Sequence, residues 1–280
     1  MKKTIIVGVD IGGTSIGAAC VIDKKIEKIH SKPTGASRSA DEILETLYEV
    51  IENVLLPGTL AIGVGVPGLL NAAKGEILNI SNIPAWKNLL LKQKLEERFK
   101  IPVHINNDAN CFALGEKHFG KGQKYKNIVA ITLGTGVGGG IIINDKIHTG
   151  LFGGAGELGC WPYKNENFEA YCGSGFFIKK NKITGQELFE KAISGDQQAQ
   201  KVFDEFGMHL GKMIKNIFYI LAPDAVLIGG SISKSFSLFE AGIRNELSDF
   251  PFEGMIKNIA IEQSELNDIA LLGAAGLYYN

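Results

Sequence analysis

Charge of one sign, long apolar runs and paired cysteines are all missing from this chain of 280 residues, and each absence removes a class of function. Its 29 Lys and Arg stand against 30 Asp and Glu, a net charge of -1, so no electrostatic excess marks it for nucleic acid or an anionic membrane surface. No apolar run reaches the roughly 18–20 residues that cross a bilayer. The strand-like start after Met1-Lys2-Lys3 is broken at Asp10, too soon for a secretory leader. Cys20, Cys111, Cys160 and Cys172 are scattered, with no CxxC or metal-finger spacing. That spacing argues against structural zinc and a disulfide framework, and for a reduced, cytoplasmic compartment. What is present is glycine, 35 residues, and a hydrophobic share of 45%, enough for a real core in one large or two ordinary domains. Small molecules, with neither nucleic acid nor membrane, are the expected partners.

Ile5 to Val9 and Ile16 to Ile22 are apolar, β-branched runs on either side of Gly12-Gly13-Thr14, and read as a hairpin with a glycine turn. Ser39-Ala40-Asp41-Glu42 is a capping box before Ile43, Leu47, Ile51 and Leu55, a helical face stopped by Pro57-Gly58. Leu60 to Val66 reads as a buried strand, Trp86 to Phe99 as a helix, and Asn107-Asp108 as the start of a helix reaching Phe119. Ile128 to Leu133, the turn Gly134-Thr135-Gly136 and Gly140 to Ile143 then repeat the opening device. An irregular, glycine-rich stretch covers Gly150 to Gly175, Thr184 to Glu187 caps a helix, and Asp196 to Leu221 is a long amphipathic one. Asp224 to Ile228 is a buried strand leading into Gly229-Gly230-Ser231, followed by a helix, a strand near Ile259 and a last helix from Asp268. The repetition predicts two similar α/β domains facing a cleft, 1–107 completed by 268–280, and 108–267.

Asp10-Ile11-Gly12-Gly13-Thr14 puts an acid at a strand end before a turn whose missing side chains let backbone N–H groups approach an anion. Alone it is equally a plain hairpin turn; the second copy at Gly134 favours a two-sided phosphate clamp. Gly134-x-Gly136-x-x-Gly139 and Gly63-x-Gly65-x-x-Gly68 are not dinucleotide fingerprints, since neither opens a helix, and Gly115 to Lys121 lacks the Ser or Thr of a P-loop. Asp108 reads as a helix cap or as the carboxylate that accepts the proton of an attacking hydroxyl, kept ionised by the helix N-terminus. Glu157 is either a solvated loop acid or an acceptor for adjacent sugar hydroxyls. Trp86 and Trp161 are core or loop packing, or platforms for a sugar face. Mg²⁺ carried in with ATP is expected to be steadied by Asp10, directly or through water.

These residues resemble the ROK family of repressors and sugar kinases over nearly the whole chain. The matching pieces, in order, are Asp10 to Thr14, Gly65-Val66-Pro67-Gly68, Asn82 with Trp86, Asn107-Asp108-Ala109-Asn110, Gly134 to Gly140, Gly156-Glu157-Leu158-Gly159 and Ile228 to Ser231. The resemblance implies a two-domain actin/hexokinase-type (ribonuclease H-like) ATPase fold and phosphate contacts from Gly12, Gly13, Thr14, Gly134, Thr135 and Gly136. It places adenosine near Gly229, Gly230 and Ser231, makes Asp108 the catalytic base, and draws sugar contacts from Gly68, Asn82, Asn107, Asp108 and Glu157. A homodimer is implied as well.

Several departures bear on this picture. Cys160 stands where the family has a histidine that touches sugar or metal, Ser15 stands for a common lysine, and the zinc motif survives only as Cys172-Gly173, with Glu169 a substitute for its final glutamate. The family repressors' N-terminal helix-turn-helix has no counterpart before the first strand. Transfer of the ATP γ-phosphate to the 6-hydroxyl of glucose is the leading expectation. N-acetylmannosamine, N-acetylglucosamine and fructose are the alternatives, because the altered loop holds the residues that separate these sugars. A non-catalytic sugar sensor and an actin-like ATPase without a small-molecule acceptor are the rivals from other classes.

Overall fold

Ile5–Ile11 (β1) and Ser15–Ile22 (β2) pair antiparallel around the first glycine turn, with Asp10 opposite Gly17 and Ile11 opposite Ile16. In the computed structural model, which describes residues 3–72, 74–80 and 82–280, β1 is covered on both faces. Val7, Val9 and Ile11 point into one core with Ile43, Leu47 and Ile51 of the helix Ala40–Val54. Ile6, one residue out of phase, points into another with Leu271, Leu272 and Ala275, as the two-residue period of a strand requires. Lys25–Pro33 (β3), Ala61–Val66 (β4) and Val103–Asn107 (β8) complete the sheet β3-β2-β1-β4-β8, in which β1, β4 and β8 run parallel. The expected capping box is formed: the Ser39 hydroxyl accepts the Glu42 N–H, and the Glu42 carboxylate accepts the Ser39 N–H at 3.0 Å.

The helix expected over Trp86 to Phe99 is shorter. Lys87–Leu89 (β7) is a strand, and only Leu91–Phe99 is helical. Leu89 and Lys87 pair with Ile77 and Asn79 of Glu76–Asn79 (β6), which also pairs with Leu69–Asn71 (β5). Such short strands carry no alternation long enough to read, and their pairing partners are what reveal them.

The C-terminal helix Ile269–Gly276 lies directly on bare backbone. A Cβ placed on Gly8 would come 2.1 Å from the Leu271 carbonyl oxygen, and one on Gly63 1.9 Å from that of Ala274. On its other side, a Cβ on Gly273 would meet the Cys111 carbonyl oxygen at 2.0 Å. The helix Asp108–Phe119 is therefore held against the first sheet through this helix and belongs to the same compact unit. One unit comprises the residues up to Gln123 with Lys146–Ala155 and Leu266–Asn280; the other comprises Lys124–Asp145 with Gly156–Glu265. The boundary thus falls after 123, where the sequence suggested 107, because close packing assigns the helix that follows β8 to the sheet it leaves.

Within the second unit, Ile128–Leu133 (β9) and Val137–Ile143 (β10) form the second hairpin. Ala225–Gly229 (β11) runs parallel to β9 and Ala260–Gln263 (β12) parallel to β11. Helices Gln197–Leu221 and Phe236–Leu247 cross where a Cβ on Gly207 would lie 2.1 Å from the Phe239 oxygen and one on Gly242 2.3 Å from the Asp204 oxygen. Among the described residues no helix is long and apolar enough to cross a membrane.

Gly273→Ala tests the first of these junctions. In an open helix the change would stabilise; against the Cys111 oxygen it is expected to cost about 1–3 kcal/mol as overpacking. Urea denaturation measures the difference, and a neutral or stabilised variant would show that the helices can separate freely.

Candidate active site

The first glycine turn is locked from outside itself. Gly12 N–H donates to the Ser15 oxygen at 2.9 Å, while Thr34, wholly buried beyond the end of β3, donates its hydroxyl to the Gly12 oxygen at 2.6 Å and its N–H to the Thr14 oxygen at 3.0 Å. A Cβ on Gly13 would stand 2.7 Å from that of Asn82, so the turn and Asn82 lie against each other. Gly68 has φ +87°, and a Cβ there would meet the Asn79 oxygen at 2.6 Å, which makes glycine the fitting residue at this corner.

Asp108 opens its helix behind an asparagine network. Asn106 Oδ1 accepts the Asn107 N–H and an Asn110 Nδ2 hydrogen, both at 2.9 Å, and Asn107 Oδ1 caps the helix by accepting the Asn110 N–H at 2.7 Å. All three asparagines are buried. Asp108 itself keeps a solvent-open face and accepts its neighbour Ala109's N–H at 2.8 Å. The sequence placed this carboxyl at a helix N-terminus, which favours its ionised form. Desolvation by the surrounding protein outweighs the hydrogen bonds from the backbone and raises its pKa above that of an ordinary aspartate. Asp10 is pushed up to about 6, first by burial and then by the charge of Asp108, so the two acids lie within electrostatic reach of each other. Cys111, one turn further along the helix and fully buried, has its thiol raised by burial and by both carboxylates.

The second turn is held differently. Gly134 N–H donates to the Gly136 oxygen at 3.0 Å, Ser174 N–H donates to the Gly134 oxygen at 2.8 Å, and Glu169 Oε2 accepts the Val137 N–H at 3.1 Å. Gly230 has φ +87° and lies on Leu133, the last residue of β9. Beside it opens a cavity of about 560 Å³ walled by Ser174, Phe177, Phe189, Phe203, Ser231 and Lys234. Three phenylalanine rings alongside serine hydroxyls and the Lys234 ammonium suit a flat heterocycle that carries polar groups.

Glu157 is exposed and precedes the single turn Leu158–Cys160, with Cys160 Sγ 3.9 Å from its Oε2. Trp86 is wholly buried and donates Nε1–H to the Ala40 oxygen at 3.3 Å, which excludes it as a sugar platform, while Trp161 is half-buried and packs against the core of the second unit. The zinc that the family motif implies does not fit here. Cys172 is wholly buried beside Phe168, its thiol raised far above the range in which a thiolate forms, and among the described residues no cluster of three metal-ligating side chains is present.

Asp10, Gly12, Gly13, Thr14, Gly68, Asn82, Asn107 and Asp108 therefore belong to the first unit, and Gly134, Thr135, Gly136, Glu157, Gly229, Gly230 and Ser231 to the second. Thr34, Asn106, Ser174 and the aromatic walls of the cavity escaped sequence reasoning. Thr34 between Pro33 and Gly35 belongs to no pattern; Asn106 and Asn110, on either side of Asn107-Asp108, were the readable signal of a polar network.

The Asp10 shift has a measurable consequence. A carboxyl that titrates at 3.8 in the unfolded chain and near 6 when folded binds more protons in the folded state between those values, so its contribution to stability falls as pH rises through that window. Asp10→Asn removes the titration, and the variant's stability relative to the natural protein is expected to increase from pH 4 to pH 6. Thermal melts at matched pH check this; a constant difference would contradict it.

A ROK family model matches residues 6–280. The chain is 29% identical to the glucokinase of Thermotoga maritima, covering 99% of this chain and 98% of that protein. It is 34% identical to the N-acetyl-D-glucosamine kinase of Histophilus somni over 84% of this chain and 86% of that protein. The solved ROK family glucokinase from Streptomyces griseus, in complex with glucose and AMPPNP, shares 27% of residues and aligns with a TM-score of 0.79 over 98% of both chains. The fold is that of the actin-like ATPases, as the resemblance implied.

Proposed function

The chain belongs to the ROK family, and from that membership we propose that it is an ATP-dependent sugar kinase, transferring the γ-phosphate to a hexose hydroxyl, the 6-hydroxyl of glucose first among them. The observation that carries the reading is Asp108: a solvent-open carboxylate in a helical first turn whose flanking residues Asn106, Asn107 and Asn110 are buried and bonded to one another, and whose proton affinity is raised.

An alcohol is a weak nucleophile, and a carboxylate placed at its proton removes that proton as the bond to phosphorus forms. A base with a raised pKa accepts the proton more readily than an ordinary aspartate. Asn107 spends its Oδ1 on the helix cap, which leaves its amide hydrogens to orient a sugar oxygen, while Glu157 offers an acceptor-only group to paired hydroxyls. Gly12 and Gly134 each spend their N–H on closing their own turns, so phosphate contact falls to the amides that follow, Gly13-Thr14 and Thr135-Gly136. The cavity by Ser231 takes the adenosine.

Mg²⁺ arriving with ATP fits Asp10, whose proton affinity is raised in part by the neighbouring Asp108, a crowding of negative charge that a divalent cation relieves. When bound it would neutralise phosphate charge. N-acetylmannosamine, N-acetylglucosamine and fructose stay within the reading, since Cys160 replaces the histidine with which the family meets its sugar.

A coupled ADP-release assay with Mg-ATP against hexoses and N-acetylhexosamines tests the proposal. Turnover is expected only with sugar, and Asp108→Asn is expected to lower kcat by about 10²–10⁴-fold, the usual worth of a general base. Because burial raises Asp108, the acid limb of kcat/KM should lie above the 3.8 of an unperturbed aspartate. Sugar binding without turnover would instead establish a sensor.

A further inference from the structure

One buried polar group in the second unit takes no part in the phosphotransfer described above. His209, on the helix Gln197–Leu221, is 3% exposed, and its Nδ1 lies 2.9 Å from the Tyr163 hydroxyl. Its Nε2 is buried with no hydrogen-bond partner, and Glu205 Oε1 is 3.7 Å away. With the hydroxyl donating to Nδ1, the ring proton sits on Nε2 and faces Glu205; burial lowers the imidazole pKa to about 4, so the ring is neutral at ordinary pH. An apolar side chain would fill this place with no orphaned nitrogen. What the imidazole adds over such a filler is direction, since a hydrogen bond fixes where the Tyr163 hydroxyl points.

The fixed tyrosine is linked to the second glycine turn. Its ring stacks on Phe168, centroids 4.2 Å apart and planes within 7°, while Tyr171 meets both Tyr163 and His209 edge-on. Phe168 begins the short helix Phe168–Cys172, capped by Asn167 Oδ1 accepting the Ala170 N–H at 3.1 Å. The next residue, Glu169, accepts the Val137 N–H, and a Cβ on Gly136 would stand 2.6 Å from its Oε2. Beyond the helix, Ser174 N–H holds the Gly134 oxygen, and a Cβ on Gly173 would meet the Thr135 oxygen at 2.8 Å. This segment touches every residue of the turn, and the Tyr163–Phe168 stack on His209 ties it to the long helix.

We propose that His209 is a positioning residue: by fixing Tyr163 it holds Phe168–Cys172, and with it Glu169 and Ser174, against the Gly134–Gly136 turn, and so sets how tightly the protein grips a nucleoside triphosphate. The nucleotide half of this inference rests on the kinase reading; the positioning half does not.

Two measurements on the full chain separate the halves: hydrogen exchange of the amides at 134–137 in the free protein, and the Kd of AMPPNP by calorimetry. His209→Ala and Tyr163→Phe are compared with His209→Asn, which keeps an amide near the Nδ1 position, and with Leu247→Ala, a buried change elsewhere in the same core. Tyr163→Phe removes only the hydroxyl and guards against a His209→Ala that fails to fold. Both lesions are expected to speed exchange at 134–137 and weaken AMPPNP by about tenfold, the scale of one coupled contact, with the double variant no worse than either alone. His209→Asn should recover most of both, and Leu247→Ala should leave both near the starting values. Exchange that is unchanged, or equally quickened by Leu247→Ala, would overturn the positioning role. Quickened exchange with an unchanged Kd would overturn its link to the phosphates. A chain that binds no AMPPNP would defeat the kinase reading while the exchange comparison still decides the positioning.

Discussion

The close approach of the C-terminal helix to glycine backbone on both sides is the constraint on which the placement of Asp10 and Asp108 depends. Gly8 and Gly63 let Ile269–Gly276 lie flush on β1 and β4, and Gly273 lets the helix Asp108–Phe119 lie flush on it in turn. Asp10 is carried by the strand at one face of this stack and Asp108 by the helix at the other. The separation of the two acids is thus set by apolar, backbone-to-backbone packing, which interiors enforce to fractions of an ångström. No polar contact between them is needed to hold it.

Both units carry the same local device, a glycine turn between two antiparallel strands, and they brace it with different residues. The first turn is braced by one buried threonine that belongs to the chain just past β3. The second is braced by a carboxylate and an amide from a segment more than thirty residues downstream, with an aromatic cluster behind them. A single threonine is compact and rigid. The second brace is only as stiff as the packing that supports it, and that packing includes a hydrogen bond between two groups far apart in sequence.

Electrostatically Asp10 and Asp108 are a pair of partly desolvated carboxylates, and both are raised. That state is costly for the free protein and relieved by whatever brings positive charge or a proton to the pair. On the kinase reading, function and stability pull in opposite directions at Asp10, a conflict that active sites tolerate and cores do not.

The outline of the architecture was legible in local sequence alone. Strand–glycine–strand hairpins, the capping boxes at Ser39 and Thr184 and the amphipathic run from Asp196 depend on neighbours within a few residues, and all are formed. Asn107-Asp108 was legible for the same reason, as a capped helix start with a carboxylate in its first turn. Tertiary structure alone decided the rest: the strand in place of a helix at Lys87–Leu89, the membership of the Asp108 helix, the proton affinities of the two acids, and the partnership of Tyr163 with His209. Each of these is fixed by groups brought together from distant parts of the chain. Propensity and periodicity register only what is adjacent in sequence, whereas burial and long-range hydrogen bonding are properties of the packed whole.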